Sequence, residues 1–397
     1  LTTKDAKHAK ENAAKVISMT WETTIWFLLG TILPSFVLAW GLTFAARYLA
    51  PRWGLVDRPN QRKVHAHPTP LGGGLAIGLG VIGTFLAGQA VLVLVVACDA
   101  QEWLPAFARP HVQGILQQSV SLWTILLGGA ALMVIGLLDD RFGVDWRIRL
   151  GLQFFVAAFC VITQGWRLTA FIEIAYLASA ISIVLSTLWI VALVNSFNML
   201  DNMDGLSAGV AFIASCLLAA VLLIAPDPVT DQPQLFVAGF LLVLAGALLG
   251  FLIHNRPPAK IFMGDAGSYF VGFCIAVATL LATYASYHDK RHAILAPLCV
   301  MAVPLYDMST VIWIRIREGR SPFEADKNHF SHRLVELGFS KGQAVLTIYL
   351  TTATCGLGAL LLHQVNLFGA GIILLLVLSV LCLIAVLEST ARRKLNE

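Results

Sequence analysis

Charge is scarce in this sequence. Only 13% of its 397 residues are Asp, Glu, Lys or Arg, where soluble domains usually carry about 25%. With 58% hydrophobic residues and a mean hydropathy of +0.78, the composition excludes an ordinary water-dissolved domain and makes lipid the expected solvent. Paired cysteines are absent as well. The seven cysteines stand singly in apolar stretches with no CxxC, which argues against a disulfide framework or a zinc site. The opening residues, LTTKDAKHAKENAAKV, lack an apolar run, so residues 1–20 are expected to form a polar tail and not a signal peptide. No fixed-period repeat is visible and no loop is long enough for a soluble module. The expectation is a single transmembrane catalytic domain over 21–390, followed by a basic cytoplasmic tail at 391–397.

What remains is long apolar runs. Crossing about 30 Å of hydrocarbon takes roughly 17 to 25 helical residues. Eleven such segments are predicted, near 25–46, 74–97, 120–138, 149–168, 174–194, 207–225, 234–253, 267–285, 292–314, 343–363 and 367–389. The fold class is therefore an all-α polytopic bundle, since a β-barrel needs alternating ten-residue strands. If the first span exits into the cytoplasm, most Lys and Arg fall on inner connections, in agreement with the positive-inside rule. Lys4, Lys7, Lys10 and Lys15 run against it. Trp21, Trp26, Trp103, Trp166 and Trp313 lie near span ends and are expected to anchor them at the interfaces.

Five inner segments hold unusual polar residues. GLLDDRFGVDWRIR sets Asp139 beside Asp140 at a helix end. Adjacent carboxylates repel unless a cation or proton relieves them, or unless the end is simply solvated beside Arg141. NSFNMLDNMDGLSAG carries Asn195, Asn198, Asp201 and Asp204 without a single Lys or Arg. On a helix these would form one polar stripe, whose partners must come from other loops, a metal or a substrate; an Asn/Asp-Gly turn is the alternative. In IFMGDAGS, Asp265 sits between small residues just before a span. It suits either a ligand close to the backbone or a helix N-cap.

The largest inner loop, RIREGRSPFEADKNHFSHRLVELGFS, concentrates Arg315, Arg317, Arg320, Lys327, His329, His332 and Arg333. Two histidines fall short of a zinc set, and so basic a loop favours phosphate contact. PRWGLVDRPNQRKVHAHPTPLGGG gives a basic patch of Arg58, Arg62, Lys63, His65 and His67 suited to an anionic lipid headgroup. Gly72, Gly73 and Gly74 follow, but no GK[ST] comes after them, which excludes a Walker motif. A transporter would put its charges near helix middles. Here the span interiors read as close to charge-free, and an interfacial site joining a soluble phosphorylated substrate to a lipid one is expected.

Five ordered segments, RKVHAHPTPLGGG, IGLLDDRFG, NSFNMLDNMDGLSAG, IFMGDAGS and ADKNHFSHRL, resemble the marker segments of the polyprenyl-phosphate N-acetylhexosamine-1-phosphate transferases over about residues 54–340. The resemblance is greater to the undecaprenyl-phosphate GlcNAc-1-phosphate branch than to the phospho-MurNAc-pentapeptide translocase. It implies a multi-pass enzyme of the bacterial plasma (inner) membrane with cytoplasmic active-site loops. Such an enzyme uses Mg²⁺ or Mn²⁺ to move a sugar 1-phosphate from a UDP-sugar donor to undecaprenyl phosphate and releases UMP, in the first membrane step of cell-envelope polysaccharide synthesis. Membrane lipids and a homodimer partner are implied, nucleic acid is not. By position, the resemblance makes Asp265 the metal ligand, with Asp201 and Asp204 near metal and nucleotide. Asp139 and Asp140 match an aspartate pair whose first member has been assigned the removal of a proton from the lipid phosphate. Asn195 and Asn198 lead into the acidic segment, Phe262 packs on uracil, Lys63 and His65 lie by the lipid phosphate, and His329, His332 and Arg333 meet donor phosphate or sugar. Two positions depart: Asn202 stands where Gly is usual in DGxDG, and Ser331 where HxHH has its middle histidine. Phospho-MurNAc-pentapeptide transfer and transport of a phosphorylated solute remain the alternatives.

Overall fold

A computed structural model describes residues 21–57, 68–105, 108–166, 175–225, 232–282, 291–324 and 328–396. Apolar residues cover whole helices here and not one face, as expected where lipid or neighbouring helices surround each element. The helices are α1 (Trp21–Leu49), α2 (Gly73–Ala97), the short α3 (Val112–Gln117), α4 (Ser119–Phe142), α5 (Trp146–Gln164), α6 (Ala175–Leu200) and α7 (Leu206–Ile224). They continue with α8 (Leu235–Asn255), α9 (Gly264–Leu281), short α10 (Ala296–Val300), α11 (Ala302–Arg317), short α12 (Phe330–Glu336), α13 (Lys341–Leu362) and α14 (Leu367–Asn396). Ten described helices are long and apolar enough to cross a membrane. An eleventh span is reached only if His292–Val300 and Ala302–Arg317, bent by 68° to each other, count as one. The ninth span expected from sequence, near 292–314, is thus broken, with Pro297 and Pro304 near the starts of its two helices.

Several boundaries move. Helix α6 runs to Leu200, so Asn195 and Asn198 belong to its last turns and not to a loop. Asp201 follows it directly and Asp204 turns away, which breaks the single stripe. Helix α14 continues through Asn396, making the expected basic tail its final turns. Trp166 is buried, unlike the exposed Trp21, Trp26, Trp103 and Trp313, and does not sit at a lipid-facing girdle. Span interiors are not free of ionisable groups either: Asp307 in α11 and Glu388 in α14 are buried.

Helix α9 is the hub. Nearly every residue from Gly264 to Leu280 is buried, and α2, α4 and α6 pack around it. Close approach is possible because the contacts are small. A β-carbon at Gly74 of α2 would lie 2.0 Å from the Gly267 nitrogen, and one at Gly136 of α4 2.4 Å from the Ala266 nitrogen. Without a hydrophobic drive between helices in lipid, such backbone contact supplies the van der Waals attraction that holds the bundle. A small antiparallel pair, β1 (Val56–Asp57) and β2 (Thr69–Pro70), closes the connection between α1 and α2. Leu71 then bridges to Phe262 just ahead of α9.

Candidate active site

The centre is built on the start of α9. A helix opens with unsatisfied amides, and here the cap comes from another helix. Asp140, in the last turns of α4, accepts the Asp265 amide at 2.9 Å with Oδ1 and the Ala266 amide at 3.2 Å with Oδ2. The carboxylate can come this close because residue 264 is glycine. Its φ is +70°, and a β-carbon there would lie 2.6 Å from Asp140 Oδ2. The capping role open to Asp265 is therefore filled by Asp140. Asp265 is left with its side chain free of the helix start, accepting the Asn198 amide group at 2.7 Å on Oδ1.

Arg149, in the first turn of α5, binds this acidic group together. Its Nη1 is paired with Asp139 Oδ2 and lies 3.2 Å from both Asp265 Oδ2 and Tyr269 Oη. Asp139 is further committed to the Val144 amide at 2.7 Å. With one oxygen on a guanidinium and the other on an amide, both Asp139 oxygens are engaged, and the geometry gives it a positioning role. Asp201 is different. Burial pushes its carboxyl up to about 7, and the neighbouring Asp140 and Asp204 charges add to this. The Gly264 amide acts in the opposite sense. Burial and two acids, with no basic side chain, set this shift, an environment suited to a carboxylate that takes up a cation.

The segment from Asp201 to Gly205 is wired to the strand-like stretch before α9. Asp204 Oδ2 accepts the Ala259 amide at 2.9 Å, and Asn255 Oδ1 accepts the Gly205 amide at 2.9 Å while its amide group donates to the Ile261 carbonyl. Asp204 thus serves the loop's shape. Phe262, half-buried, exchanges backbone bonds with Pro70 and Gly73. This ties the end of the α1–α2 connection to the acidic centre. Lys63, His65 and the other basic residues expected there lie outside the described residues, as does Lys327. Asn195 does not reach the centre; it donates to Gln153 Oε1 on α5 at 2.6 Å.

The histidines sit on a second polar layer. Asp307 of α11 accepts the Phe330 amide and pairs through Oδ2 with His329 Nδ1 at 3.0 Å. His329 occupies the N-cap position of α12, and its ring lies 6.3 Å from that of His332, centre to centre. A carboxylate on Nδ1 holds the other ring nitrogen as the one available for further bonding. Arg333 is buried and engaged by Glu388 at 3.0 Å, Thr310 at 3.1 Å and the Asn328 carbonyl. Tyr306 also donates to Glu388, at 2.9 Å. Placed so, Arg333 anchors α12 against α11 and α14. The hydroxyl of Ser331 donates to Asn202 Oδ1, joining α12 to the acidic loop. Trp146 stacks on Phe323 at 3.9 Å and draws the arginine-rich segment toward the start of α5.

The donor set around Asp140, Asp201 and Asp265 is all hard oxygen, the chemistry of Mg²⁺ or Mn²⁺ and not of a soft metal. Among the described residues no three His, Cys, Asp or Glu side chains close on an ion. Mg²⁺ does not need such a cage, since it is usually held by one or two carboxylates, waters and substrate phosphates. The residues fit that mode, with Asp265, whose side chain is free of the helix start, and Asp201, which takes only the Gly264 amide, as the carboxylates that would hold the ion. Arg149, Tyr269, Asp307 and Glu388 were not anticipated from sequence. Arg149 reads as one of several interfacial arginines, while Asp307 and Glu388 are single acids inside apolar runs. An intramembrane acid is by default a functional signal, and this was the clue available.

Residues 122–283, which hold the whole acidic centre, match the model for glycosyl transferase family 4. The decaprenyl-phosphate N-acetylglucosaminephosphotransferase of Mycobacterium tuberculosis is 37% identical over 342 residues, covering 81% of this chain and 79% of the relative. A probable undecaprenyl-phosphate N-acetylglucosaminyl 1-phosphate transferase of Bacillus subtilis is 29% identical over 358 residues, 89% of this chain and 90% of that protein. The undecaprenyl-phosphate alpha-N-acetylglucosaminyl 1-phosphate transferase of Escherichia coli is 30% identical over 324 residues, with coverages of 78% and 77%. Because this likeness extends well beyond the acidic centre to most of the chain and most of each relative, the protein belongs to glycosyl transferase family 4.

Proposed function

We propose that this protein transfers GlcNAc 1-phosphate from UDP-GlcNAc to a polyprenyl phosphate in the bacterial plasma membrane, releasing UMP. The observation that carries the reading is the acidic centre at the start of α9. There Asp140 caps the helix, Asp139 is paired with Arg149, Asp265 accepts from Asn198 and Arg149, and Asp201 lies buried beside the Asp140 and Asp204 charges, so that a cation would relieve the cluster. The names of the relatives, which specify N-acetylglucosamine and polyprenyl phosphate, support the same substrates. They favour GlcNAc over phospho-MurNAc-pentapeptide and favour transfer over transport.

In the reaction an oxygen of the polyprenyl phosphate attacks the β-phosphorus of the donor. The bond from that phosphorus to the oxygen bridging the two phosphates breaks, and UMP leaves with the bridging oxygen. The lipid phosphate is largely a dianion at neutral pH, its second pKa being about 6, so no strong base is required. Mg²⁺ or Mn²⁺ bound at Asp201 and Asp265 would neutralise the diphosphate. Arg149 fixes the orientation of Asp265, and Asn198 holds its other oxygen. The Asp307–His329 pair presents an imidazole from α12 as a hydrogen-bonding group for donor phosphate or sugar. The nucleotide sugar requires these loops to face the cytoplasm.

The test is UMP release by purified protein in detergent, with undecaprenyl or decaprenyl phosphate as acceptor and UDP-GlcNAc or UDP-MurNAc-pentapeptide as donor. Turnover with UDP-GlcNAc that needs Mg²⁺ or Mn²⁺ is expected. Turnover with the pentapeptide donor alone would overturn the donor assignment, and none with either donor in the presence of metal would overturn the reaction class.

A further inference from the structure

The two positions at which the marker segments depart from the usual pattern, Asn202 and Ser331, lie 129 residues apart in sequence and touch each other in the fold. Ser331 is only 1% exposed. Its hydroxyl donates to Asn202 Oδ1, and the Asn202 amide group donates at 2.9 Å to the Met199 carbonyl in the last turn of α6. Ser331 is buried and Asn202 half-buried, so the pair is stabilising only if both ends are kept, because a buried hydroxyl left without its partner costs more than the pair gains. The two changes therefore make sense together and not singly.

Their placement gives the pair a task. Asn202 follows Asp201, and Ser331 lies between His329 and His332. We propose that Asn202 and Ser331 are coupled positioning residues that clip the histidine helix α12 onto the acidic loop and fix the distance between His332 and Asp201. This deepens the transferase reading above and rests on it for its kinetic part. Asp307 and Glu388 hold α12 from the side of α11 and α14, through His329, Phe330 and Arg333. The Asn202–Ser331 bond is a tie on the opposite side, toward the acids. With it in place, groups that contact the donor diphosphate from α12 and groups that hold the cation keep one separation. With it broken, α12 remains anchored but its register against Asp201 is free to drift, which weakens donor binding more than it slows chemistry once donor is bound.

The experiment is a double-mutant cycle on the full-length protein in detergent: Asn202→Ala, Ser331→Ala, both together, and the exchange Asn202→Ser with Ser331→Asn. Each single change is expected to raise the KM for UDP-GlcNAc by about fivefold to tenfold with kcat altered less than threefold, the range for losing one buried hydrogen bond. The double alanine variant should be no worse than either single one. The exchange variant, which reverses donor and acceptor, should recover most of the lost affinity. Melting temperatures read the same coupling without turnover and should show the same non-additivity. Additive effects on both KM and melting, or failure of the exchange variant to recover either, would overturn the clip. A fall in kcat at unchanged KM would overturn the positioning role. If the unmodified protein releases no UMP, the transferase reading fails, while the coupling in melting still decides whether the clip exists.

Discussion

Replacing Asp201 by Asn should make the protein more stable at alkaline pH and inactive. The carboxyl of Asp201 ionises near 7 in the fold, well above the ordinary carboxylate range, chiefly through burial and then through Asp140 and Asp204. The folded state thus prefers the protonated form. Below about pH 4 the group is protonated whether the chain is folded or not and costs nothing. From about pH 4 to 7 ionisation in the unfolded chain progressively draws stability away, and above 7 the loss is constant. A displacement of about three units corresponds to a ceiling of about 4 kcal/mol. Asp201 is not wholly enclosed, so screening by water brings the expected gain of the Asn variant to about 1–3 kcal/mol at pH 8. Asn keeps an oxygen for the Gly264 amide and removes only the charge. The measurement is thermal unfolding in detergent between pH 5 and 8.5, with and without Mg²⁺. Without metal, wild type should lose stability more steeply than the variant as pH rises through 7. Added Mg²⁺ should restore wild type by neutralising the site and leave the variant nearly unmoved. A variant less stable than wild type at pH 8 without metal, or one stabilised equally by Mg²⁺, would refute both the charge strain and the assignment of Asp201 to the cation.

Asp140→Ala should lose stability as well as activity, because it leaves two buried amides at the start of α9 unpaired, a cost of about 2–4 kcal/mol; a melting curve like that of wild type would refute the cap. Asp265→Asn should instead lower UMP release by about a hundredfold or more with little change in melting, as expected for a ligand to catalytic metal. Arg149→Met should destabilise by about 2–3 kcal/mol and abolish turnover, with Arg149→Lys recovering part of the stability because it can keep only one of three contacts. Gly136→Ala should prevent assembly of the bundle, since its methyl would meet the backbone of Ala266; normal yield of folded protein in detergent would show that α4 and α9 can separate.

The spans were legible because apolar runs of eighteen or more residues admit little else in a chain this poor in charge. The acids were legible for a related reason: in such a chain, Asp139, Asp140, Asp201 and Asp265 stand out at span ends. Their division of labour was not. Asp140 caps a helix that begins more than 120 residues later, and nothing local to GLLDDRFG reveals which of two adjacent aspartates faces those amides. Arg149 resembles any arginine at a helix start until α4 and α9 are brought alongside. Asp307 has its partners at 329 and 330, in a segment whose basic residues drew the reading toward phosphate contact. Arg333 shows the converse: a basic residue in a promising loop that the fold buries against Glu388. The departures at 202 and 331 were each visible in sequence, but their compensation needed the fold.

Helix α9 has a consequence for how the protein is made. Its mean hydropathy is 1.5, against 2.5 and 2.7 for the two spans just before it, so it has a weaker claim on lipid of its own during synthesis. The helices that surround it, α2, α4 and α6, all precede it in the chain. By the time α9 emerges, the helices that pack around it have all been synthesised, so it can settle against protein instead of lipid. The acids of α4 and of the loop after α6 meet Asp265 only at that moment, so an unfinished chain carries no working centre into the membrane.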